Sequence, residues 1–490
     1  MSDRTHTSAW LSLVLVALGC GDGATSSADS KPNRAPQALV DINPDPRIVE
    51  VVLVASESET EYLRGTRAGI WAYRDGTVLG SVGQVPGPLL EAKRGDRVRV
   101  HYRNELPAET TVHWHGLQLP NASDGTPSSQ VPVPPGGSFV YEFVAEDAGT
   151  FWYHPHMHAD VMIERGLYGA VRILGTAEPS AAQDRVFVLD DVKLDGDGSL
   201  SKVTDALDVM LGRQGNVLLV NGQERPSIEV AAGTRERWRF VNVANGRFFN
   251  LRFDRPFFVI SWDGGLLPHP YATDTLLIAP GERYEVLVTF ASADRDRRPV
   301  LQTIHYDRGH NIPNPGPLDL LEVKVQSSDK ASAAAPEPEL PVVWGDWRSL
   351  PVTTTTATRI FELREEAKVP FPRFYINGEA FPFNTPVAGV PNAVEVWEIH
   401  NETEMDHPFH LHGMFFQVLD VDGVPPKYQG LKDTVNVPRE SKLRFAVRLG
   451  PPGNWMYHCH ILEHAERGMM GELRIGAAGA SPTPSPTPHP

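Results

Sequence analysis

Hydrophobic and polar residues alternate in short runs along this chain, and Gly, Pro, Asp or Asn close most of the runs. Val98-Arg99-Val100-His101-Tyr102, Ser138-Phe139-Val140-Tyr141-Glu142-Phe143, Tyr284-Glu285-Val286-Leu287-Val288 and Leu443-Arg444-Phe445-Ala446-Val447 are examples. Such alternation puts every second side chain on one face, as a half-buried strand requires. Long stretches with a helical period are scarce, so the pattern predicts an all-β protein. The pattern also repeats, at roughly 140–160-residue intervals. Glu91-Ala92-Lys93-Arg94-Gly95 precedes a strand that ends in Asn104, and Glu229-Val230-Ala231-Ala232-Gly233 precedes one that ends in Asn242. Val387 to Asn392 precedes a third that ends in Asn401. A proline-led strand follows each, from Pro135, Pro280 and Pro438. Three related β-units are expected at 47–176, 177–328 and 342–476, each sized for a small sandwich or barrel. The last two are separated by the Ser/Ala/Pro/Glu stretch Ser327–Pro341, with the linker proper at 329–341.

Composition agrees with this count. The chain has 490 residues, which at ~150 per domain suggests three. Its 42 glycines and 43 prolines favour many turns between short strands. A net charge of −16 gives no basic excess to displace phosphate counterions, so nucleic acid is not an expected partner. No internal apolar run reaches the ~18 residues of a membrane span. Two cysteines cannot build a disulfide scaffold. Residues 1–20 read as an export signal, with Arg4 in a polar start and an apolar Ala9–Gly19. The signal ends Ala17-Leu18-Gly19-Cys20, similar to a lipoprotein processing site in which Cys20 is lipidated. Residues 21–46 are expected to be a polar tether, and 477–490 a disordered Ser/Thr/Pro tail in which His489 has no ligand role.

The chemistry lies in the histidines, of which the chain has 18. Ten fall in four short clusters: His113-Trp114-His115, His154-Pro155-His156, His407-Pro408-Phe409-His410-Leu411-His412 and His458-Cys459-His460-Ile461-Leu462-Glu463-His464. The first two lie in the first unit and the last two in the third. The middle unit has Arg247-Phe248-Phe249-Asn250 at the matching place. On a strand, residues i and i+2 share a face, so each His-X-His pair can serve one metal or two adjacent ones. A single histidine is ordinarily a surface or satisfied core residue; paired clusters at repeat-equivalent positions are not explained that way. Imidazole suits copper, zinc and iron. His407, Cys459, His464 and Met469 narrow the choice, because two imidazoles, one thiolate and one axial thioether form the blue-copper set. Cys459 also stands between His458 and His460, giving an electron a one-residue covalent route to either neighbour. Tyr153-His154-Pro155-His156 with Glu164-Arg165-Gly166-Leu167 aligns with Tyr457-His458-Cys459-His460 and Glu466-Arg467-Gly468-Met469. Pro155 and Leu167 replace Cys459 and Met469, so the first unit keeps the histidine pairs and loses the mononuclear site.

The four motifs resemble those of multicopper oxidases, nearest in look to three-domain bacterial laccases and cuprous oxidases, over about residues 47–476. That resemblance implies three consecutive cupredoxin-like Greek-key domains and four copper ions. By motif position, His407, Cys459, His464 and Met469 would hold the type 1 copper, and His113 and His410 the type 2 copper. His115, His154 and His460 would hold one type 3 copper, and His156, His412 and His458 the other. Family members take single electrons at the type 1 copper and reduce O2 to water at the three-copper cluster. Cys459, His458 and His460 would carry the electrons. Asp124 stands where relatives carry a proton-donating carboxylate, although Asp124-Gly125 is also a turn dipeptide. A second acid usual in relatives is replaced by Ala465, flanked by Glu463 and Glu466. Asp433 could equally be a loop residue or a partner of a ligand histidine. His158 is expected on a turn and His400 in a half-buried strand. His101, His269, His305 and His310 carry no spacing signal.

The expected reaction is one-electron oxidation of a phenol or aromatic amine coupled to O2 reduction. The alternative is oxidation of a metal ion such as Cu(I), Fe(II) or Mn(II). It ranks second because the nine methionines are scattered rather than gathered in a Cu(I)-binding segment. A copper-free scaffold of the cell envelope fits poorly with a complete ligand set, and a copper nitrite reductase has no use for four histidine pairs. A monomer in the periplasm or cell envelope, anchored through Cys20, completes the expectation.

Overall fold

The computed structural model describes residues 30–176, 178–202, 204–327 and 349–476. The expected export signal with Cys20, the linker 329–341 and the tail 477–490 lie outside the described residues. Residues 31–39, within the expected tether, run as an extended strap. Asn33 N–H donates to the Ser227 carbonyl (2.7 Å), and Leu39 N–H to that of Leu89 (2.9 Å).

The fold is all-β, three cupredoxin-like units in succession. The helices among the described residues are short: α1 (Ala159–Glu164), α2 (Ala206–Leu211) and α3 (Leu462–Glu466). In the first unit, one four-stranded sheet carries Ile48–Thr60, Ala68–Asp75, Arg97–Asn104 and Ser138–Val144. The other carries Gly87–Lys93, Gly169–Leu174, Gly149–His154 and His113–His115. The sheets pack through aromatic side chains, Trp114 lying 5.6 Å from Tyr141 between ring centres. In the third unit, a six-stranded and a five-stranded sheet meet in the same way through Phe409 and Phe445, 6.0 Å apart. The middle unit is built on a nine-stranded sheet.

Two parallel pairings recur in every unit. Ile48–Thr60 lies beside Arg97–Asn104, Asp184–Val192 beside Thr234–Asn242, and Ala357–Glu366 beside Val394–Asn401. Gly87–Lys93 with Gly169–Leu174, Ser227–Ala231 with Leu318–Gln326, and Val387–Gly389 with Met470–Ile475 form the second set. Parallel neighbours cannot be joined by a hairpin, so each pairing marks a long Greek-key connection.

The recurring asparagine has the same task in all three copies. Asn104 Nδ2 donates to the Ala108 and Val133 carbonyls, and its Oδ1 accepts from Leu106 N–H. Asn242 makes the matching bonds to Arg247, Ile278 and Ala244. Asn401 makes them to Met405, Val437 and Thr403. The side chain substitutes for strand pairing where the chain leaves one sheet for the other. In the first and third units that crossing delivers the histidine strands.

Candidate metal centre

The strands His113–His115 and Gly149–His154 pair with His113 opposite His154. His407–Leu411 and Gly453–Cys459 pair with His410 opposite His458. The two units thus present their histidines in the same register, and the two faces meet. His113 stacks on His412 with ring centres 3.9 Å apart, and His115 on His410 at 3.8 Å. His412 Nε2 and His156 Nε2 both approach His458 Nε2, at 3.1 and 3.3 Å. All eight rings of this cluster are buried.

Hydrogen bonds fix which nitrogen faces inward. The Nδ1–H groups of His113, His154, His410 and His458 donate to the carbonyls of Asp124, Pro155, Asp433 and Cys459, at 2.8 to 2.9 Å. His412 Nδ1 donates to the Asp124 carboxylate at 3.1 Å. Each of these rings therefore points a bare Nε2 lone pair into the cluster. His115 is turned the other way, with Nε2 against Asp433 and Thr434 and Nδ1 bare. Among the described residues, His113 Nε2, His115 Nδ1, His154 Nε2, His410 Nε2 and both His460 nitrogens have no hydrogen-bond partner. Burial pushes the imidazoles of His115, His154, His410 and His460 down, and that of His458 to about 3. A ring of buried neutral imidazoles with unsatisfied lone pairs is costly unless cations occupy its centre.

Close nitrogens group as His113 with His115 and His154, His113 with His410 and His412, and His156 with His412 and His458. His460 lies at the rim of these groups, 4.9 Å from the His115 ring and 5.9 Å from His154.

A second group lies on the far side of Cys459. Its Sγ is 3.5 Å from His407 Nδ1 and 3.8 Å from His464 Nδ1, and the two nitrogens are 3.2 Å apart. Thr403 Oγ1 engages His407 Nε2 at 2.8 Å, and the Met210 carbonyl of α2 engages His464 Nε2 at 3.2 Å. Both outer nitrogens are thereby occupied, and both inner ones stay free for a metal. Burial lowers His407 to about 4 and pushes the Cys459 thiol up, so metal binding must displace the thiol proton. Met469 is wholly buried and tied in by backbone, its carbonyl accepting from Cys459 N–H and its N–H donating to the His464 carbonyl, both at 3.0 Å.

In the first unit the equivalent α1 ends likewise, with Leu167 N–H on the Met162 carbonyl. Met162, Leu167 and Pro155 stand where the third unit has His464, Met469 and Cys459, which leaves no second thiolate site.

Asp124 is 1% exposed, at the end of a single turn Asn121–Ser123. Asn121 Nδ2 anchors that turn to the Asn454 carbonyl of the third unit at 2.6 Å. Gly125, with φ +74°, completes it; a methyl group there would collide with the Val112 carbonyl. Asp433 takes the ligand-partner alternative. Besides its contacts with His115 and His410, it receives both terminal nitrogens of Arg283, at 2.6 and 2.5 Å. Burial would raise this carboxyl, but the Arg283 guanidinium overrides it and holds it well below the usual range. Glu463 and Glu466, both raised to about 7 by burial, take hydrogen-bond partners other than the clustered histidines. Glu463 accepts from Asn245 Nδ2 (2.8 Å) and Arg213 N–H (3.0 Å), and Glu466 from Ala159 N–H (2.8 Å). His158 caps α1 on the surface, and His400 is half-buried against Glu398. Arg283, Thr403, Thr434 and Met210 carry no motif and are recognised only by position.

Family models described as multicopper oxidase match residues 67–178, 190–299 and 350–478. The multicopper oxidase mco of Staphylococcus epidermidis is 30% identical, covering 86% of this chain and 88% of its own. A laccase of Bacillus subtilis is 27% identical, covering 83% and 90%. A solved multicopper oxidase from Campylobacter jejuni, described as a metallo-oxidase, superposes with a TM-score of 0.79 at 27% identity, covering 91% and 95%. The chain belongs to the multicopper oxidases. It is a copper-dependent oxidoreductase that takes electrons from a reducing substrate, passes them to O2, and uses four copper ions: one type 1, one type 2 and two type 3. Among the described residues, no helix is long and apolar enough to cross a membrane.

Proposed function

We propose that His407, Cys459, His464 and Met469 hold the type 1 copper, and His113 and His410 the type 2 copper. His115, His154 and His460 hold one type 3 copper, and His156, His412 and His458 the other. The observation that carries this reading is the hydrogen-bonded orientation of the rings. Eight of the ten rings, those of His113, His115, His154, His407, His410, His412, His458 and His464, rest one nitrogen on an oxygen, which turns the opposite nitrogen toward the metal site. Bound copper supplies the one-electron redox steps. The protein supplies the route and the protons. Cys459 joins the thiolate site to His458 and His460 through one residue each. Asp124 holds His412 and lies close enough to the cluster to donate a proton. The division of the chain at 47–176, 177–328 and 342–476 belongs to the same reading, as do export by residues 1–20, the lipid anchor at Cys20 and a monomeric state.

For the reductant we propose a phenol or aromatic amine, in keeping with the name of the laccase relative. One observation favours metal-ion oxidation as a second reading. His464 is fully buried, with its outer nitrogen against the α2 backbone, so a bulky ring has no direct contact with it. The relative described as a metallo-oxidase is consistent with that alternative. Copper analysis of the purified protein should give about four ions per chain with an intense blue thiolate band. Zero or one copper after full loading overturns the assignment. Steady-state O2 uptake with a phenol, Cu(I) and Fe(II) then separates the reductants. The phenol reading predicts the highest kcat/KM for the phenol and fails if either metal ion exceeds it.

A further inference from the structure

Arg308 is a buried cation to which the copper-oxidase reading gives no task. Its carbonyl accepts from Asp406 N–H at 2.8 Å, one residue before His407, and Gly309 bridges to Met405. The loop is thereby tied to the strand that brings in a thiolate-site histidine. The side chain is 1% exposed. None of its three guanidinium nitrogens has a hydrogen-bond partner among the described residues, and the group lies over the Phe248 ring, 5.4 Å from its centre. Arginine is seldom buried without a partner, because the desolvation cost is large and an aromatic face offsets only part of it.

Carboxylates lie within electrostatic reach, but each is engaged elsewhere. Asp191 binds Arg247 and Gly215 N–H. Asp406 binds Tyr306, Asn436 and Arg439 N–H. Glu463 binds Asn245 and Arg213 N–H. Burial, and then the like charge of Arg247, push Arg308 down to about 9, which leaves it cationic at neutral pH. With its loop hydrogen-bonded to Asp406, the buried Arg308 charge lies within electrostatic reach of His407, Cys459 and His464.

We propose that Arg308 is a fixed cation that raises the reduction potential of the copper held by His407, Cys459 and His464. One electron arrives from the reducing substrate, copper goes from Cu(II) to Cu(I), and the charge of the site falls by one unit. A cation held nearby in a poorly screened interior stabilises the state with the lower charge. Arg308 is thus a tuning residue that touches no substrate. Its folding cost is the counterpart of that effect.

This inference rests on the type 1 assignment, and its test separates the two. Redox titration followed at the blue band compares wild type with R308M and R308Q. Loss of the positive charge should make reduction about tenfold less favourable, a fall of about 59 mV for one electron. The band position and the copper hyperfine splitting should not move. Both variants should resist denaturant at least as well as wild type. Unchanged potential in either folded variant overturns the proposal. So does a potential that moves together with the band and the hyperfine splitting, because the role is then one of packing. Failure of both variants to fold overturns it too, since a charge that only costs folding energy is removable. A wild-type protein loaded with copper but lacking the blue band refutes the type 1 assignment instead.

Discussion

At the scale of single residues, Asp124 joins two tasks in one side chain. Its carbonyl orients His113 and its carboxylate orients His412. An asparagine preserves the carbonyl and one acceptor oxygen but carries no transferable proton. Asp124→Asn should therefore keep the copper content and the blue colour while O2 turnover under saturating reductant falls about 100-fold, the lower end of general acid–base contributions. Unchanged turnover would assign Asp124 to orientation alone. The histidines and Cys459 are legible in sequence because a strand converts i, i+2 spacing into a shared face. Asp124 and Asp433 are only half legible, since a turn and a ligand partner use the same residue type. Arg283 and Arg308 are invisible, because their meaning comes from units distant in the chain.

At the scale of elements, the asparagine crossing is the feature that the repeat pattern revealed without explaining. The repeat showed that an asparagine ends each strand; only the hydrogen bonds show that it replaces missing strand pairing. In the third unit, Asn401 also accepts from Thr403 Oγ1 at 2.8 Å, and that hydroxyl is the one that fixes His407. Asn401→Ala leaves the buried Met405 and Val437 carbonyls short of a donor and should cost about 2–4 kcal/mol of stability by urea denaturation. It should also weaken the blue band, because Thr403 loses its brace. Asn242→Ala removes the matching bonds from the middle unit and should cost a similar amount while leaving the band unchanged. Equal loss of the band in both variants would refute the coupling through Thr403.

At the scale of the whole molecule, the middle unit carries none of the four histidine clusters and still braces them. Its Arg283 holds Asp433 beside His115 and His410, its Met210 covers His464, and its Asn245 secures Glu463 on α3. Asp190 ties the first two units together. Tyr168 Oη of the first unit donates to Asp190 Oδ2 of the second at 2.5 Å, and both residues are buried. Burial, and then the neighbouring charge of Asp191, raise Asp190 from an ordinary 3.8 to about 8. The unfolded chain loses this proton near pH 4, and the folded chain keeps it to about pH 8. The associated stability is therefore fully present below pH 4 and is lost progressively as pH rises to about 8, beyond which the folded state must bury a charge. Asparagine keeps an acceptor for Tyr168 and has no proton to lose. Compared with wild type, Asp190→Asn should gain on the order of a few kcal/mol between pH 5 and pH 9. Urea denaturation of both proteins at the two values measures that difference directly, cancelling every other group that titrates in the window. Parallel pH dependence would mean that Asp190 is ionised in the folded protein and that the Tyr168 contact is an ordinary charge-assisted bond.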